Sequence, residues 1–266
     1  MKRPLHLAYF TPLPPARTGI ADYSMELLPA LAQVATVEIF SEQTDPAQAV
    51  GAPVFPLADY PARRWQYDLP LYQMGNNVAH AALGRALLRY PGMMTLHDFG
   101  LHQLWAAQSL AVGRPAVYRR EMAYALGSEG LRIAQEVETG RREPPHFEVA
   151  LNDRFLRVAL GVITHSRYAE RLVLERVPEQ MTAVIPAPIA NVSAPSLRER
   201  LALPADTCVF GSFGVISHTK QLEAALEAFA EVHRANPNTC YLLVGEWDCC
   251  DVDAPALAAR FGLGDA

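Results

Sequence analysis

Short apolar runs alternate along the chain with longer segments whose apolar residues recur at helical spacing. The pattern begins with Leu5–Phe10, an apolar run of strand length, followed by the proline-rich loop Thr11–Thr18. A helix is predicted from Gly19, with Thr18 as its N-cap and the carboxylate of Asp22 in its first turn. The apolar positions of one helical face are Ile20, Tyr23, Leu27, Leu31 and Val34. A strand that leads into a helix in this way is the first unit of a βαβ sheet.

The same alternation continues along the chain. Further strands are predicted at Thr36–Phe40, Asp68–Met74, Gly92–Leu96, Gly161–Thr164, Met181–Ile185, Thr207–Phe213 and Thr239–Val244. Helices are predicted at Ala79–Arg89, Arg167–Arg176, Lys220–Arg234 and Ala254–Phe261, and the segment between Phe99 and Phe155 is predicted to be mainly helical. This order of elements indicates an α/β fold with a mostly parallel, doubly wound sheet.

The chain is predicted to form two lobes joined by a linker. Residues 1–188 form a Rossmann-like N-terminal lobe, and residues 189–205 are predicted to be the linker because they lack a strong apolar period. A βα unit needs about 25–30 residues, so the remaining segment, 206–266, has room for little more than two. Two strands alone would leave an open sheet edge. We therefore expect that this second Rossmann-like lobe is truncated within these 266 residues.

Composition narrows the class of protein. The chain is 50% hydrophobic and carries a formal charge of −5, which is typical of an ordinary α/β protein and argues against a general nucleic-acid binder. No apolar run approaches the ~18 residues of a membrane span. Four cysteines lie in the last quarter without a CxxC pair, so no metal site is predicted. No cofactor is predicted either. Reduced thiols indicate a cytoplasmic location, and attachment to the inner face of the membrane is left open.

Three groups of residues are candidates for chemistry because they follow predicted strands. The helix N-terminus at Gly19 is suited to an anion, although Gly19 serves equally well as the residue of a tight turn. His97 ends a strand at the carboxyl edge of the sheet, where open α/β sheets bind ligands. Its alternative role is to cap the following helix together with Asp98. Asn76 and Asn77 follow another strand, and their amides suit hydroxyl groups, but Gly-Asn-Asn is also an ordinary turn.

Seven motifs together resemble one enzyme family. They are TPLPPARTGIADYSMEL (11–27), LYQMGNN with His80 (71–80), TLHDFGLHQL (95–104), GVITHSRYAERL (161–172), VIPAPI (184–189), GSFGVISHTKQLEAALEAF (211–229) and LLVGEWD (242–248). In their order and spacing they resemble the family 4 glycosyltransferases, retaining enzymes of the GT-B fold. The resemblance implies a two-lobed α/β protein that binds its acceptor mainly on the N-lobe and its sugar nucleotide mainly on the C-lobe.

The resemblance implies roles for several residues. Gly19 would lie beside the donor diphosphate or the acceptor. Arg17 could pair with a phosphate or bind the acceptor, although a solvated loop arginine is the alternative. His97 would lie near the donor sugar and act in catalysis, with Asn76 and Asn77 on acceptor or sugar hydroxyls. Lys220 matches the lysine that the family offers to the donor diphosphate, whereas Val215 stands where the family has an arginine.

The predicted function is transfer of a hexosyl or other glycosyl group, with retention, from a nucleotide-diphosphate sugar, UDP- or GDP-linked, to a glycan, lipid or small-molecule acceptor. The acidic motif that holds the donor in this family is expected beyond residue 266, so the chain is predicted to be an incomplete catalytic unit. The first alternative is a non-catalytic lobe that binds an acceptor or partner without donor turnover. A third interpretation, which the full motif set favours less, is a GT-B epimerase or phosphorylase.

Overall fold

The computed structural model describes residues 3–42, 51–188, 197–216, 220–245 and 252–264. Contacts within the chain divide it into two compact units, Met1–Ala190 and Asn191–Ala266. The predicted linker, 189–205, lies at this division, and its first part, 189–196, is outside the described residues.

The first unit is built on one sheet of seven parallel strands. The strands are β1 (Leu5–Phe10), β2 (Ala35–Ser41), β3 (Val54–Pro56), β4 (Leu69–Met74), β5 (Met93–Leu96), β6 (Gly161–Thr164) and β7 (Thr182–Val184). Their spatial order is β3-β2-β1-β4-β5-β6-β7, and every neighbouring pair is parallel. This is the order of a Rossmann-like sheet, in which the chain moves outward in one direction from β1 and then in the other from β4.

Seven α-helices accompany this sheet in the described part of the first unit. They are α1 (Gly19–Leu31), α2 (Tyr60–Arg63), α3 (Ala81–Arg89), α4 (His102–Ser109), α5 (Pro115–Glu138), α6 (Asp153–Val158) and α7 (Arg167–Arg176). The largest of the cores includes Phe10, Phe40 and Tyr72, which lie side by side on the three neighbouring strands β2, β1 and β4. The ring of Phe10 stacks on Phe40 at 5.2 Å and on Tyr72 at 4.3 Å between ring centroids. These contacts fix the register of the central strands, because a slip of one residue would turn the rings to the other face.

The described part of the second unit contains two parallel strands with helices. Its elements are α8 (Leu197–Arg200), β8 (Cys208–Phe213), α9 (Leu222–Ala235), β9 (Thr239–Val244) and α10 (Ala254–Arg260). Leu222, Leu226 and Phe229 on α9 form a small core with Ala254 of α10. On the strands, Phe213 remains 64% exposed and Val244 remains 42% exposed.

The predicted α/β fold class with a Rossmann-like parallel sheet is confirmed, and two local predictions need correction. No strand was predicted in the segment 41–59, which contains β3, a three-residue strand that pairs with the end of β2. The segment 99–155 is mainly helical as predicted, and within it the backbone of α5 is broken at Gly127 with φ at 62°. Helix α9 begins at Leu222, so Lys220 precedes it instead of starting it.

Candidate functional site

The strand order creates a crevice at one point of the sheet. Strand β1 lies between β2 and β4, and the chain proceeds from β1 to one side and from β4 to the other. The loops that follow these two strands therefore diverge, and a crevice opens beyond their carboxyl ends. Ligands of open α/β sheets are commonly bound at this switch point.

A pocket of about 510 Å³ lies at this crevice, and we call it the switch-point pocket. It is lined by Thr18, Gly19, Ile20, Asp22, Tyr23, Glu26, Asn77, His97, Asp98, Ala187 and Pro188. The loops and helices after β1, β4, β5 and β7 all contribute to it. Of the residues predicted from the sequence, Gly19, His97 and Asn77 thus meet in one pocket.

The N-terminus of α1 forms one wall of this pocket. The amide of Ala21 donates to the Thr18 hydroxyl at 3.1 Å, which confirms the predicted N-cap. The first two amides of the helix, those of Gly19 and Ile20, have no acceptor in the part of the chain that the structure describes, as expected for a helix N-terminus. A Cβ placed on Gly19 would meet no atom within 4 Å, so packing does not require a glycine there. Gly19 and Ile20 both line the pocket, and the missing side chain at Gly19 leaves free space at the start of the helix.

A second glycine brings α1 close to the sheet. A Cβ on Gly75, directly after β4, would lie 2.3 Å from the Cδ1 of Ile20 and 3.0 Å from the Nε2 of His80. The side chain of Ile20 therefore occupies the space that a larger residue at position 75 would need. This contact sets the position of the α1 N-terminus relative to β4 and β5, and so the shape of the pocket.

Three rings form a cluster at the end of β5 and β6. His97 follows β5, His165 follows β6, and their ring centroids are 4.9 Å apart. Tyr23 of α1 packs its ring edge-to-face on His97 at 4.5 Å and lies 5.2 Å from His165. The backbone amide of His97 donates to the Met74 carbonyl at 3.0 Å, which ties the end of β5 to β4.

Both ring nitrogens of His97 have protein partners. Its Nε2 lies 2.9 Å from the Oε1 of Gln73, and its Nδ1 lies 3.2 Å from the Nε2 of His165. Burial, and to a smaller extent the nearby imidazoles of His165 and His80, lowers the pKa of His97 to about 3. His97 is therefore neutral at pH 7. To offer a nitrogen to a ligand it must give up one of these two hydrogen bonds, and its catalytic role stays a prediction.

The two asparagines have different surroundings. The Oδ1 of Asn76 accepts from the amide of Leu104 near the start of α4 at 3.1 Å, and the amide of Asn76 donates to Asp98 at 2.9 Å. Asn76 thus joins two loops and is not among the residues that line the pocket. Asn77 does line it, and its Oδ1 accepts from the amide of Ala79. The side-chain nitrogen of Asn77 has no acceptor within the described ranges and is open to a ligand.

The charge of the pocket lining is negative. Asp22, Glu26 and Asp98 contribute carboxylates, whereas no lysine or arginine is among the lining residues. Arg17, predicted to contact a phosphate or an acceptor, lies exposed in the preceding loop and outside this lining. Carboxylates accept hydrogen bonds from hydroxyl groups and repel phosphates. The lining therefore suits a neutral ligand rich in hydroxyl groups better than a diphosphate.

Lys220 lies in the second unit, beside two glycines. The backbone amide of Gly214 donates to the Val244 carbonyl at 2.9 Å, and a Cβ on Gly245 would lie 1.9 Å from the Gly214 carbonyl oxygen. The Nζ of Lys220 lies 3.5 Å from the position that a Cβ of Gly214 would take. The lysine thus lies over a tight approach of two loops at the carboxyl ends of β8 and β9. Its role toward a diphosphate stays a prediction.

Sequence reasoning missed the pairing of His97 with His165, although the signal was present. Leu96 and Thr164 are register partners at the ends of β5 and β6, and a histidine follows each. Side chains that follow neighbouring parallel strands meet at one edge. The buried partner Gln73 and the carboxylates of Asp22 and Glu26 were also missed as parts of the site, because polar residues on a strand or helix give no such signal individually.

Comparisons with known proteins extend the description of the fold. No protein-family model matches the chain, and no curated protein matches its sequence. A solved structure described as a UDP-N-acetylglucosamine 2-epimerase from Listeria monocytogenes superposes with a TM-score of 0.52 and 11% identity, over 100% of this chain and 68% of that one. Strand order and this likeness together confirm the α/β, GT-B-like fold class.

Two further solved structures match with lower scores. UGT2 from Phytolacca americana, complexed with UDP-2-fluoro-glucose and pterostilbene, has a TM-score of 0.44 and 14% identity over 93% of this chain and 72% of that one. The catalytic domain of starch synthase IV from Arabidopsis thaliana, bound to ADP and acarbose, has a TM-score of 0.42 and 13% identity over 98% and 71%. At these scores neither match supports an argument about function.

Membrane-spanning helices and metal-binding clusters are both absent from the described ranges. No helix there is long and apolar enough to cross a bilayer. No group of three or more histidine, cysteine or acidic side chains there is arranged to hold a metal ion.

Proposed function

We propose that this protein is a retaining glycosyltransferase of the family 4 type, and that its switch-point pocket binds the acceptor. One observation carries the proposal: His97, Asn77 and the open amides of Gly19 and Ile20 converge on one pocket at the switch point of a Rossmann-like sheet. The resemblance of the ordered motifs to that family supports the reaction type. The fold agrees with it, but fold alone does not specify a reaction.

The charge of the lining decides which substrate we assign to this pocket. A phosphate within about 6 Å of a carboxylate is opposed by about 1–3 kcal/mol for each pair of unit charges. Asp22, Glu26 and Asp98 would each act in this way, whereas each of them can accept a hydrogen bond from a hydroxyl group. We therefore assign Gly19 to the acceptor side of the reaction and not to the donor diphosphate. The acceptor is proposed to be a neutral, hydroxyl-rich sugar group.

The donor diphosphate is proposed to bind at the second unit. There the Lys220 ammonium lies beside Gly214 and Gly245, and backbone amides together with one cation suit a dianion. In the proposed reaction the acceptor hydroxyl attacks the anomeric carbon on the face from which the diphosphate leaves. The bond from that carbon to the diphosphate oxygen breaks, and the leaving phosphate takes the hydroxyl proton.

The test is a transfer assay on the protein expressed from its complete reading frame. UDP-, GDP- and ADP-sugars are offered with neutral sugars and, as matched partners, with the same sugars carrying a phosphate. We expect release of a nucleoside diphosphate that depends on acceptor, and a higher kcat/KM for the neutral member of each pair. Lys220→Gln should weaken donor binding.

Three outcomes would separate the alternatives. Absence of turnover together with absence of any nucleotide-induced rise in Tm would refute the proposal. Binding of a sugar without affinity for any nucleotide would indicate the non-catalytic lobe. Conversion of the nucleotide sugar itself, without acceptor, would indicate an epimerase or a hydrolase.

A further inference from the structure

A continuous chain of hydrogen bonds connects β7, β6, β5 and β4 beside the switch-point pocket. The carbonyl of Ile185 lies 2.7 Å from the Nδ1 of His165, whose Nε2 lies 3.2 Å from the Nδ1 of His97. The Nε2 of His97 lies 2.9 Å from the side-chain oxygen of Gln73. Gln73 is fully buried, and its side-chain nitrogen has no partner. The hydrogen-bond chain therefore contains four ring nitrogens between two fixed ends, the Ile185 carbonyl and the Gln73 side-chain amide.

The number of protons on this chain follows from its ends. The Ile185 carbonyl can only accept, so the Nδ1 of His165 must carry a hydrogen. In a neutral His165 the Nε2 is then an acceptor, and His97 must donate to it from Nδ1. That leaves the Nε2 of His97 as a second acceptor, facing the Gln73 oxygen, which also accepts. With the amide in this orientation, only a pair that carries three N–H groups, and hence one positive charge, satisfies every contact.

A half-turn of the Gln73 amide removes this conflict without any charge. The side-chain nitrogen, otherwise buried without a partner, then donates to the Nε2 of His97. The Gln73 side-chain oxygen then takes the position in which the nitrogen had no hydrogen-bond partner. A buried acceptor without a partner is tolerated better there than a buried N–H group. Which of the two amide orientations is present is thus tied to the number of protons that the two histidines hold.

We propose that His165 is a positioning residue, which holds neutral His97 in its Nδ1–H tautomer, and that the two histidines and Gln73 bind and release one proton as a unit. In the neutral state Gln73 donates to His97. In the protonated state the Gln73 amide is turned, and both outer nitrogens of the pair donate.

Other titratable groups face the two histidines and Gln73 from the elements around them. In the described chain they are Tyr23 on α1, His80 after β4 and Asp98 after β5. Burial opposes a positive charge on His97, and so does His80. Burial also raises the pKa of Tyr23, which remains a neutral phenol at pH 7. His97 is therefore neutral at neutral pH.

A consequence for catalysis rests on the proposed function. Positive charge develops on the donor sugar in an oxocarbenium-like transition state, and an imidazolium nearby would oppose it. Neutral His97 is then the active form, so kcat should fall in acid with a one-proton dependence. The tautomer itself does not depend on the proposed function, and it is measured separately.

The experiment is ¹⁵N NMR of the imidazole nitrogens in the full chain at pH 7 and during an acid titration. Wild-type protein should show Nδ1–H for both histidines, and both should change together as one proton is taken up. His165→Phe keeps a ring beside Tyr23 but removes the acceptor, so His97 should change to the Nε2–H tautomer and donate to Gln73. His165→Gln offers an oxygen acceptor and should restore Nδ1–H.

Each outcome decides between the proposal and a merely structural role. Nε2–H on His97 in the wild type, or independent titration of the two rings, overturns it. Should His165→Phe fail to fold, the wild-type tautomer and His165→Gln still decide. Absence of turnover with every nucleotide sugar, together with absence of any nucleotide-induced rise in Tm, would refute the proposed function and leave the tautomer result unaffected.

Discussion

Replacing Gly75 by alanine tests the contact that positions the site. The added Cβ would lie 2.3 Å from the Cδ1 of Ile20, whereas carbon atoms in contact are normally about 3.5–4.0 Å apart. Ile20 is only 8% exposed, and His80, whose Nε2 would lie 3.0 Å from the same Cβ, is fully buried. Overpacking of this kind costs about 1–3 kcal/mol. With a urea m-value of about 2 kcal/mol/M, the unfolding midpoint should fall by about 0.5–1.5 M.

A double-mutant cycle identifies the cause of that loss. Ile20→Val removes the Cδ1 atom and alone should cost about 0.5–1.5 kcal/mol. Combined with Gly75→Ala it should cost less than the sum of the two, because the clash has been removed. The assay is urea unfolding followed by the fluorescence of Trp105, which is buried in the first unit.

The matched control is the same change at a glycine with free space. A Cβ on Gly19 meets no atom within 4 Å, so Gly19→Ala should leave the unfolding midpoint unchanged or raise it slightly. Unchanged stability of Gly75→Ala, or strictly additive effects with Ile20→Val, would refute the account of how α1 is placed.

Two further predictions concern polar groups around the site. Asn76→Ala should destabilise the first unit by about 1–3 kcal/mol in urea unfolding, because the Leu104 amide loses its acceptor. Asn76→Asp keeps an oxygen at that position and should cost less. Equal losses of stability in the two variants would contradict this explanation. Burial lowers the pKa of His102 to about 4, while the unfolded chain binds the proton near pH 6.5, so acid favours unfolding. Between pH 6.5 and pH 5 this histidine should cost about 1.5 kcal/mol of unfolding free energy, and His102→Gln, which does not titrate, should show a correspondingly smaller loss.

The sequence pattern predicted the repeated elements well because each strand of a parallel sheet is buried on both faces. Such strands form continuous apolar runs, as in Leu5–Phe10 and Met93–Leu96. Strand β3 was not predicted, because its three residues form a strand only by pairing with β2 at Ile39 and Phe40. The break of α5 at Gly127 was not predicted, because a glycine within a helical pattern is usually tolerated.

The candidate site was predicted in part, by the position of residues at strand ends. Gly19, Asn77 and His97 were found because each follows a strand or its loop. Asn76 was grouped with Asn77 by type, but its amide oxygen holds the start of α4. The charge of the pocket could not be read from the sequence, because Asp22 and Glu26 face the pocket only through their turn of α1.

The most direct test of the central claim is a ¹H–¹⁵N NMR titration with neutral mono- and disaccharides and their phosphorylated counterparts. A sugar that binds should shift the amide signals of Gly19, Ile20 and Asn77, and its phosphorylated counterpart should bind more weakly. Gly19→Gln fills the open face of the pocket and should abolish these shifts. Ala30→Gln, on the exposed face at the other end of α1, should leave them unchanged. Shifts that lie elsewhere, or that survive in Gly19→Gln, would contradict the assignment of the switch-point pocket as the acceptor site.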